Sequence, residues 1–214
     1  MPMAIFVATA AQSQIINTTP YEFAVGLSGG TTLSSVTFNP KVTQGVLQGI
    51  TFGATGRLTM GENVGLQAEL NYVQQGWKET YDDFPDLNYS RILNYLQLPF
   101  YTHAQFGGKS VKGFIQAGPQ IGYLLGEATR ENLNGEQPGR VNYQHDMPVE
   151  KRFEWGLSGG VGIEIRTGAG YFILEGRYYY AFSDIYSTRR KDNFVKASDQ
   201  TVTVKLSYLI PFRQ

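Results

Sequence analysis

The sequence has no cysteine, only two histidines and no long apolar run. Without cysteine the chain can form neither disulfides nor thiolate metal sites. A membrane-spanning helix needs about 18 consecutive apolar residues, and no stretch of the sequence approaches that length. Lysine plus arginine and aspartate plus glutamate each number 18, so no net field attracts nucleic acid. We therefore predict no cofactor and no nucleic-acid partner.

Glycine, tyrosine and phenylalanine are abundant instead, at 25, 14 and 13 residues. Aromatic residues favour strands, and glycine suits the tight turns between them. From about residue 22 apolar and polar residues alternate, which is the two-residue period of a strand. In the last segment Val202, Val204, Leu206, Tyr208, Ile210 and Phe212 share one face, and Thr201, Thr203, Lys205 and Ser207 share the other. The chain is therefore predicted to be all-β.

Eight segments carry this alternation. They span residues 22–33, 44–60, 64–79, 90–106, 111–126, 152–167, 170–184 and 199–212. Three connections are short, at 61–63, 107–110 and 168–169, and four are long and polar, at 34–43, 80–89, 127–151 and 185–198. Short turns that alternate with long loops around an even number of strands are typical of outer-membrane barrels.

This order predicts an eight-stranded antiparallel up-and-down transmembrane β-barrel with short periplasmic turns and long extracellular loops. The predicted location is the cell outer membrane, with both termini in the periplasm. Residues 1–14 end in small and polar residues after a short apolar core, which is typical of a signal-peptide remnant. Residues 15–214 would then form the barrel domain.

The polar face decides between a membrane barrel and its alternative, a soluble ligand-binding barrel whose apolar face points inward. Charges of both signs lie at mid-strand on this face, and eight strands leave an interior that side chains fill. We predict that these residues form an ion-paired plug inside a membrane barrel. They are Arg57, Glu69, Lys112, Glu164, Arg166, Glu175, Arg177 and Lys205.

Several short motifs, in the right order, resemble the PorT-like outer-membrane β-barrel family that is common in Bacteroidota. The motifs are Gly26-Leu27-Ser28-Gly29-Gly30, Leu66-Gln67-Ala68-Glu69-Leu70-Asn71-Tyr72, Leu93-Asn94-Tyr95-Leu96-Gln97-Leu98-Pro99, Ala117-Gly118-Pro119 and Glu175-Gly176-Arg177-Tyr178. The resemblance implies a β-barrel fold and a location in the outer membrane. It implies no single activity, because activity varies within the family; one branch serves protein secretion. It also implies that Tyr208, Ile210 and Phe212 form the assembly signal that the barrel-insertion machinery reads. The chain departs from the family pattern by ending two residues after Phe212.

Candidate chemistry is sparse. His103 is predicted to face the interior, and His145 lies beside Asp146 in the third long loop; neither forms a triad with a nucleophile by sequence. Asp82, Asp83 and Asp86 could bind a divalent cation or simply form a solvated turn.

Four residues of the third and fourth long loops are candidate partner contacts: Tyr143, Arg189, Arg190 and Lys191. We expect contacts with outer-membrane lipid and lipopolysaccharide, and with a protein partner at the external loops. The expected function is a non-enzymatic structural or interaction protein, within a secretion or surface complex. The alternatives are an enzyme that modifies lipid or lipopolysaccharide, a small pore and the soluble barrel.

Overall fold

A computed structural model describes residues 21–39, 45–80, 88–132, 151–184 and 196–213. These residues form eight strands. The strands are β1 (Tyr21–Asn39), β2 (Leu47–Met60), β3 (Val64–Thr80), β4 (Asn88–Gly107), β5 (Val111–Asn132), β6 (Phe153–Arg166), β7 (Tyr171–Asp184) and β8 (Lys196–Arg213). Within the described part of the chain, no helix is long and apolar enough to cross a membrane.

The strands close into a barrel in which every strand pairs antiparallel with its neighbours in sequence. The ring is completed by β1 and β8, whose register runs from Glu22 opposite Arg213 to Asn39 opposite Lys196. The turn between β2 and β3 contains Gly61 with a φ of 70°, a conformation that glycine adopts without strain. The predicted all-β, eight-stranded antiparallel barrel is confirmed.

The two faces of the wall have opposite character. Large apolar side chains such as Leu27, Leu66 and Leu206 point outward and are exposed. Polar and charged side chains at the alternate positions are buried inside. A soluble barrel has the reverse arrangement, whereas a membrane barrel shows an apolar outer band. The direction of the faces is therefore that of a barrel surrounded by lipid.

Aromatic side chains on the outer wall lie near both ends of the strands. Near the short turns, the rings of Phe172 and Tyr208 are 4.9 Å apart. Near the long loops, the centroids of Phe52 and Tyr72 are 5.0 Å apart and those of Trp155 and Phe182 are 5.3 Å apart. Two such bands are characteristic of the two membrane–water interfaces.

The predicted strand ends were wrong at the long-loop side. Strand β1 continues to Asn39, β5 continues to Asn132 and β8 already begins at Lys196. Residues 125–130 of β5 are exposed on both faces, so no apolar–polar alternation marks them as a strand. Among the described residues, their partners are those of β4, which hold them extended.

At the seam, where β1 pairs with β8, the two backbones approach closely at Gly30. We therefore predict that a side chain at this position destabilises the barrel. A Cβ at Gly30 would lie 2.1 Å from the carbonyl oxygen of Val204, so Gly30→Ala must push the backbones of β1 and β8 apart. We expect a loss of about 1–3 kcal/mol of unfolding free energy, measured by urea unfolding in lipid vesicles. Gly176→Ala is the matched control, since no atom lies within 4 Å of its Cβ position. Equal losses in both variants would contradict this account of the seam.

Candidate functional site: the polar interior

The interior holds three groups of ionisable side chains stacked from the short turns towards the long loops. The short-turn cluster comprises Arg57, His103, Lys112, Glu164 and Arg166. The central network comprises Glu69, Glu175, Arg177 and Lys205. The acidic pair comprises Glu154, near the start of β6, and Asp199, near the start of β8.

The short-turn cluster is built around Glu164. One of its carboxylate oxygens lies 2.5 Å from Nη2 of Arg57 and the other lies 2.6 Å from Nε of Arg166. The amine of Lys112 donates to the carbonyl of Glu62 in the first turn at 2.8 Å. Glu164 thus connects β6 to β2 across the interior, because Arg57 lies on β2, whereas Arg166 lies on β6 with Glu164.

His103 lies inside this cluster and not on the lipid-facing wall. Its Nε2 is 3.3 Å from Nη1 of Arg57, and its Nδ1 is 3.4 Å from the amide oxygen of Gln116. Its ring packs against Phe114 at 4.6 Å between centroids. An arginine and an amide are not the nucleophile and acid that a catalytic histidine needs. The geometry here supports packing against Phe114 and hydrogen bonding with Arg57 and Gln116.

The central network is built around Glu69. Its two carboxylate oxygens receive Nη2 of Arg177 at 2.5 Å and Nζ of Lys205 at 2.7 Å. Arg177 also pairs with Glu175 at 2.6 Å, and its guanidinium lies 4.8 Å from the ring centroid of Tyr101. Each buried charge therefore has an opposite charge in contact, which is the condition under which buried ions are tolerated.

The acidic pair has a different environment. Amide groups of Gln75 and Gln97 donate to Glu154 at 3.0 and 2.9 Å. Within the part of the chain that the structure describes, no side chain donates to either carboxylate oxygen of Asp199. A cavity of about 20 Å³ beside the central network is lined by Tyr101, Arg177, Tyr179, Thr201 and Lys205 among others, and by neither member of the acidic pair.

All eight residues predicted for the plug lie inside the barrel, seven of them buried and Arg166 partly exposed. Tyr208, Ile210 and Phe212 lie on the outer wall of β8, as their shared parity requires. Tyr143, Arg189, Arg190 and Lys191, and also His145 with Asp146 and the acidic turn at Asp82, Asp83 and Asp86, lie outside the described residues.

Sequence analysis missed Asp199 as an interior residue, because it treated residue 199 as the first residue of a strand. Its parity with Thr201, Thr203 and Lys205 was the signal that could have found it. Within the described ranges, no group of three or more His, Cys, Asp or Glu residues could hold a metal.

A closed antiparallel barrel with an apolar outer wall and a charged interior defines the class of outer-membrane β-barrels. A family model described as "Outer membrane protein beta-barrel domain" matches residues 10–187. The chain belongs to this family and is an outer-membrane β-barrel protein. No curated protein matches the sequence.

Solved structures of small barrels are similar to this chain at low identity. The attachment invasion locus protein Ail of Yersinia pestis, in complex with the heparin analogue sucrose octasulfate, is 14% identical, with a TM-score of 0.44 and coverage of 88% of this chain and 99% of Ail. Neisserial surface protein A is 13% identical, with a TM-score of 0.44 and coverage of 87% and 96%. The outer membrane enzyme PagL is 15% identical, with a TM-score of 0.43 and coverage of 89% and 99%.

Loss of the Glu69 carboxylate is predicted to destabilise the folded barrel strongly. Glu69→Gln leaves Arg177 and Lys205 short of their common partner, so we expect a loss of about 3–5 kcal/mol of unfolding free energy. Urea unfolding in lipid vesicles, followed by tryptophan fluorescence, measures it. Glu127→Gln is the control, because Glu127 is 33% exposed in its pair with Arg91 and such pairs contribute about 1 kcal/mol or less. Similar losses of unfolding free energy in both variants would show that the contribution of these ion pairs to stability does not depend on their burial.

Proposed function

We propose that this protein is a non-enzymatic outer-membrane barrel that acts as a structural or interaction protein through its external loops or outer wall, within a secretion or surface complex. The observation that carries the proposal is the interior itself. The charges of its short-turn cluster and its central network are engaged with one another, from Arg57 with Glu164 to Glu69 with Lys205. An interior occupied in this way offers no wide passage, and eight strands leave little space beyond that of their side chains.

A lipid-modifying enzyme would need its catalytic groups where lipid reaches them. The described histidine is 1% exposed and faces Arg57 and Gln116. The large exposed side chains of the outer wall are apolar or aromatic. This distribution supports a wall that contacts acyl chains and does not carry out chemistry on them.

The long-loop end offers surface for a partner. Strand β5 extends beyond the last residue pair that joins it to β6, Tyr123 opposite Phe153. From Leu125 to Arg130 its side chains are exposed. The ion pair between Arg91 and Glu127, at 2.7 Å, links β4 to β5 across this extension. A stiff exposed hairpin of this kind suits recognition, because the strands hold the contact residues in place before binding.

Contacts with lipid and lipopolysaccharide are proposed at the outer aromatic band. There Tyr72 donates to the amide oxygen of Asn94 at 2.8 Å, and Gln74 donates to the same oxygen at 3.3 Å. Polar groups beside aromatic rings suit the boundary between acyl chains and headgroups. Lys151 and Arg152 are exposed nearby and have the charge to meet phosphate groups.

The proposal also covers the orientation of the barrel in the membrane, its insertion into the membrane and its subfamily. The first and last described residues, Tyr21 and Arg213, lie at the short-turn end by strand order, and short turns face the periplasm in outer-membrane barrels. Tyr208, Ile210 and Phe212 share the outer face of the last strand, where the insertion machinery could read them. The motifs shared with PorT-like barrels support placing the chain in that branch.

The absence of enzymatic activity is testable in cells. We expect identical lipid and lipopolysaccharide acylation patterns, by mass spectrometry of outer membranes, for cells expressing the wild-type chain, His103→Gln and no barrel. Burial of His103 away from lipid is the physical reason. A modified lipid that depends on the wild-type chain would contradict the non-enzymatic proposal.

Orientation and partner contact can be tested with single cysteines, because the chain has no cysteine of its own. Arg130→Cys, on the β5 extension, should react with a membrane-impermeant maleimide in intact cells, and Lys109→Cys, in a short turn, only after lysis. The same Arg130→Cys variant with a bifunctional crosslinker should give one discrete adduct in cells, with Lys109→Cys as its control. Labelling of Lys109→Cys in intact cells would reverse the orientation, and crosslinking that is diffuse at both positions would contradict a partner at the long-loop end.

A further inference from the structure

The cavity of about 20 Å³ beside the central network has enough volume for one water-sized particle. Its two charged lining residues are both cations, Arg177 of β7 and Lys205 of β8. Six of the neutral lining residues carry a hydroxyl group: Thr51, Tyr101, Ser158, Tyr179, Thr201 and Thr203. Among the described residues no carboxylate lines the cavity. The wall is therefore rich in hydrogen-bond donors, which is the character of a site for an anion.

The guanidinium of Arg177 has one N–H group without an acceptor. Its Nη1 donates to Glu69 at 2.7 Å, and its Nη2 donates to Glu69 at 2.5 Å and to Glu175 at 2.6 Å. Within the described part of the chain, its Nε is buried and has no hydrogen-bond partner. A buried donor without an acceptor is unfavourable, so an acceptor in the adjoining cavity would stabilise Arg177.

The ammonium of Lys205 provides a second donor. It has three N–H groups, and it donates to Glu69 at 2.7 Å and to the amide oxygen of Asn71 at 3.2 Å. A carboxylate oxygen of Glu175 lies 4.0 Å from this nitrogen, which is too far for a third hydrogen bond. One N–H group of Lys205 is therefore available to a particle in the cavity.

Hydrogen bonds and ion pairs hold these groups close to one another. Arg177 and Lys205 both contact Glu69. Nη1 of Arg177 lies 3.4 Å from the hydroxyl of Tyr101, which donates to Ser158 at 2.9 Å. Because Ser158 accepts this bond, its own hydroxyl hydrogen is available to donate. Three strands thus bring donors to one small space: β6 with Ser158, β7 with Arg177 and β8 with Lys205.

We propose that this cavity binds one small monovalent anion of the halide type, such as chloride or bromide. The anion accepts hydrogen bonds from Nε of Arg177, Nζ of Lys205 and the hydroxyl of Ser158, and bonds of this kind between charged groups are the stronger ones. Glu69 and Glu175 already balance the charges of the two cations, so a divalent anion would leave more buried charge uncompensated. The small volume excludes larger anions. The bound halide links β6, β7 and β8 next to the seam.

The test compares an anion that fits the cavity with one that does not. The chain is refolded into detergent micelles in sodium bromide or, at equal ionic strength, in sodium gluconate, whose anion is too large. We expect the unfolding temperature of the wild type to be higher by about 4 °C or more in bromide. Ser158→Val fills part of the cavity and removes a donor, so it should abolish this difference. Thr55→Val, which removes a buried hydroxyl that does not line the cavity, is the matched control and should keep it.

Crystals of the wild type refolded in bromide give a second readout, which also decides the matter if Ser158→Val refolds poorly. Anomalous scattering should place one bromide beside Arg177 and Lys205. Bromide found only on the surface of the barrel would mean that water fills the cavity, and would overturn the proposal. Equal unfolding temperatures of the wild type in bromide and gluconate would also overturn it. So would a difference of the same size in Ser158→Val, because the anion would then act elsewhere.

Discussion

Closure of the ring is the constraint on which the rest of this structure depends. In hydrocarbon no water is present to satisfy a backbone N–H or C=O, so every strand in the membrane needs a partner on both sides. Pairing of β1 with β8 along nearly their whole lengths meets this requirement. Once the ring is closed with eight strands, its interior is narrow. Alternation along each strand then sends half of the side chains into that space and half into lipid.

Filling the narrow interior with charge demands compensation at short range. The structure achieves this through three carboxylates that each face two donors or more: Glu69, Glu164 and Glu175. Glu69 and Glu164 each pair with a cation from a distant strand, Arg177 or Lys205 for Glu69 and Arg57 for Glu164, so these pairs also connect distant parts of the wall. Buried ion pairs of this type give little net stability over an apolar core. Their value here is that they keep the polar faces of the strands inside.

Much of this could be predicted from the sequence, because the period of two is independent of context. Parity alone placed Arg57, Glu69 and Lys205 on the inner face. The pairs that these residues form could not be predicted, because Arg177 meets Glu69 only through the stagger of strands around the closed ring. The strand ends at the long-loop side were also not predictable, since residues 125–130 are exposed on both faces and carry no pattern. Asp199 was missed for a different reason: it was the first residue of a predicted strand, although its parity with Thr201 and Lys205 places it on the inner face.

The position of Lys205 has a consequence for assembly. Lys205 lies on β8, the last strand of the chain, opposite Gly30 of β1. Its amine contacts Glu69 of β3 inside the barrel. Until β8 takes its place, Glu69 lacks one of its two cations and the incomplete sheet presents that carboxylate at an open side. Pairing of β8 with β1 therefore also brings Lys205 to Glu69. Closure of the barrel and neutralisation of this buried carboxylate occur in the same step of assembly.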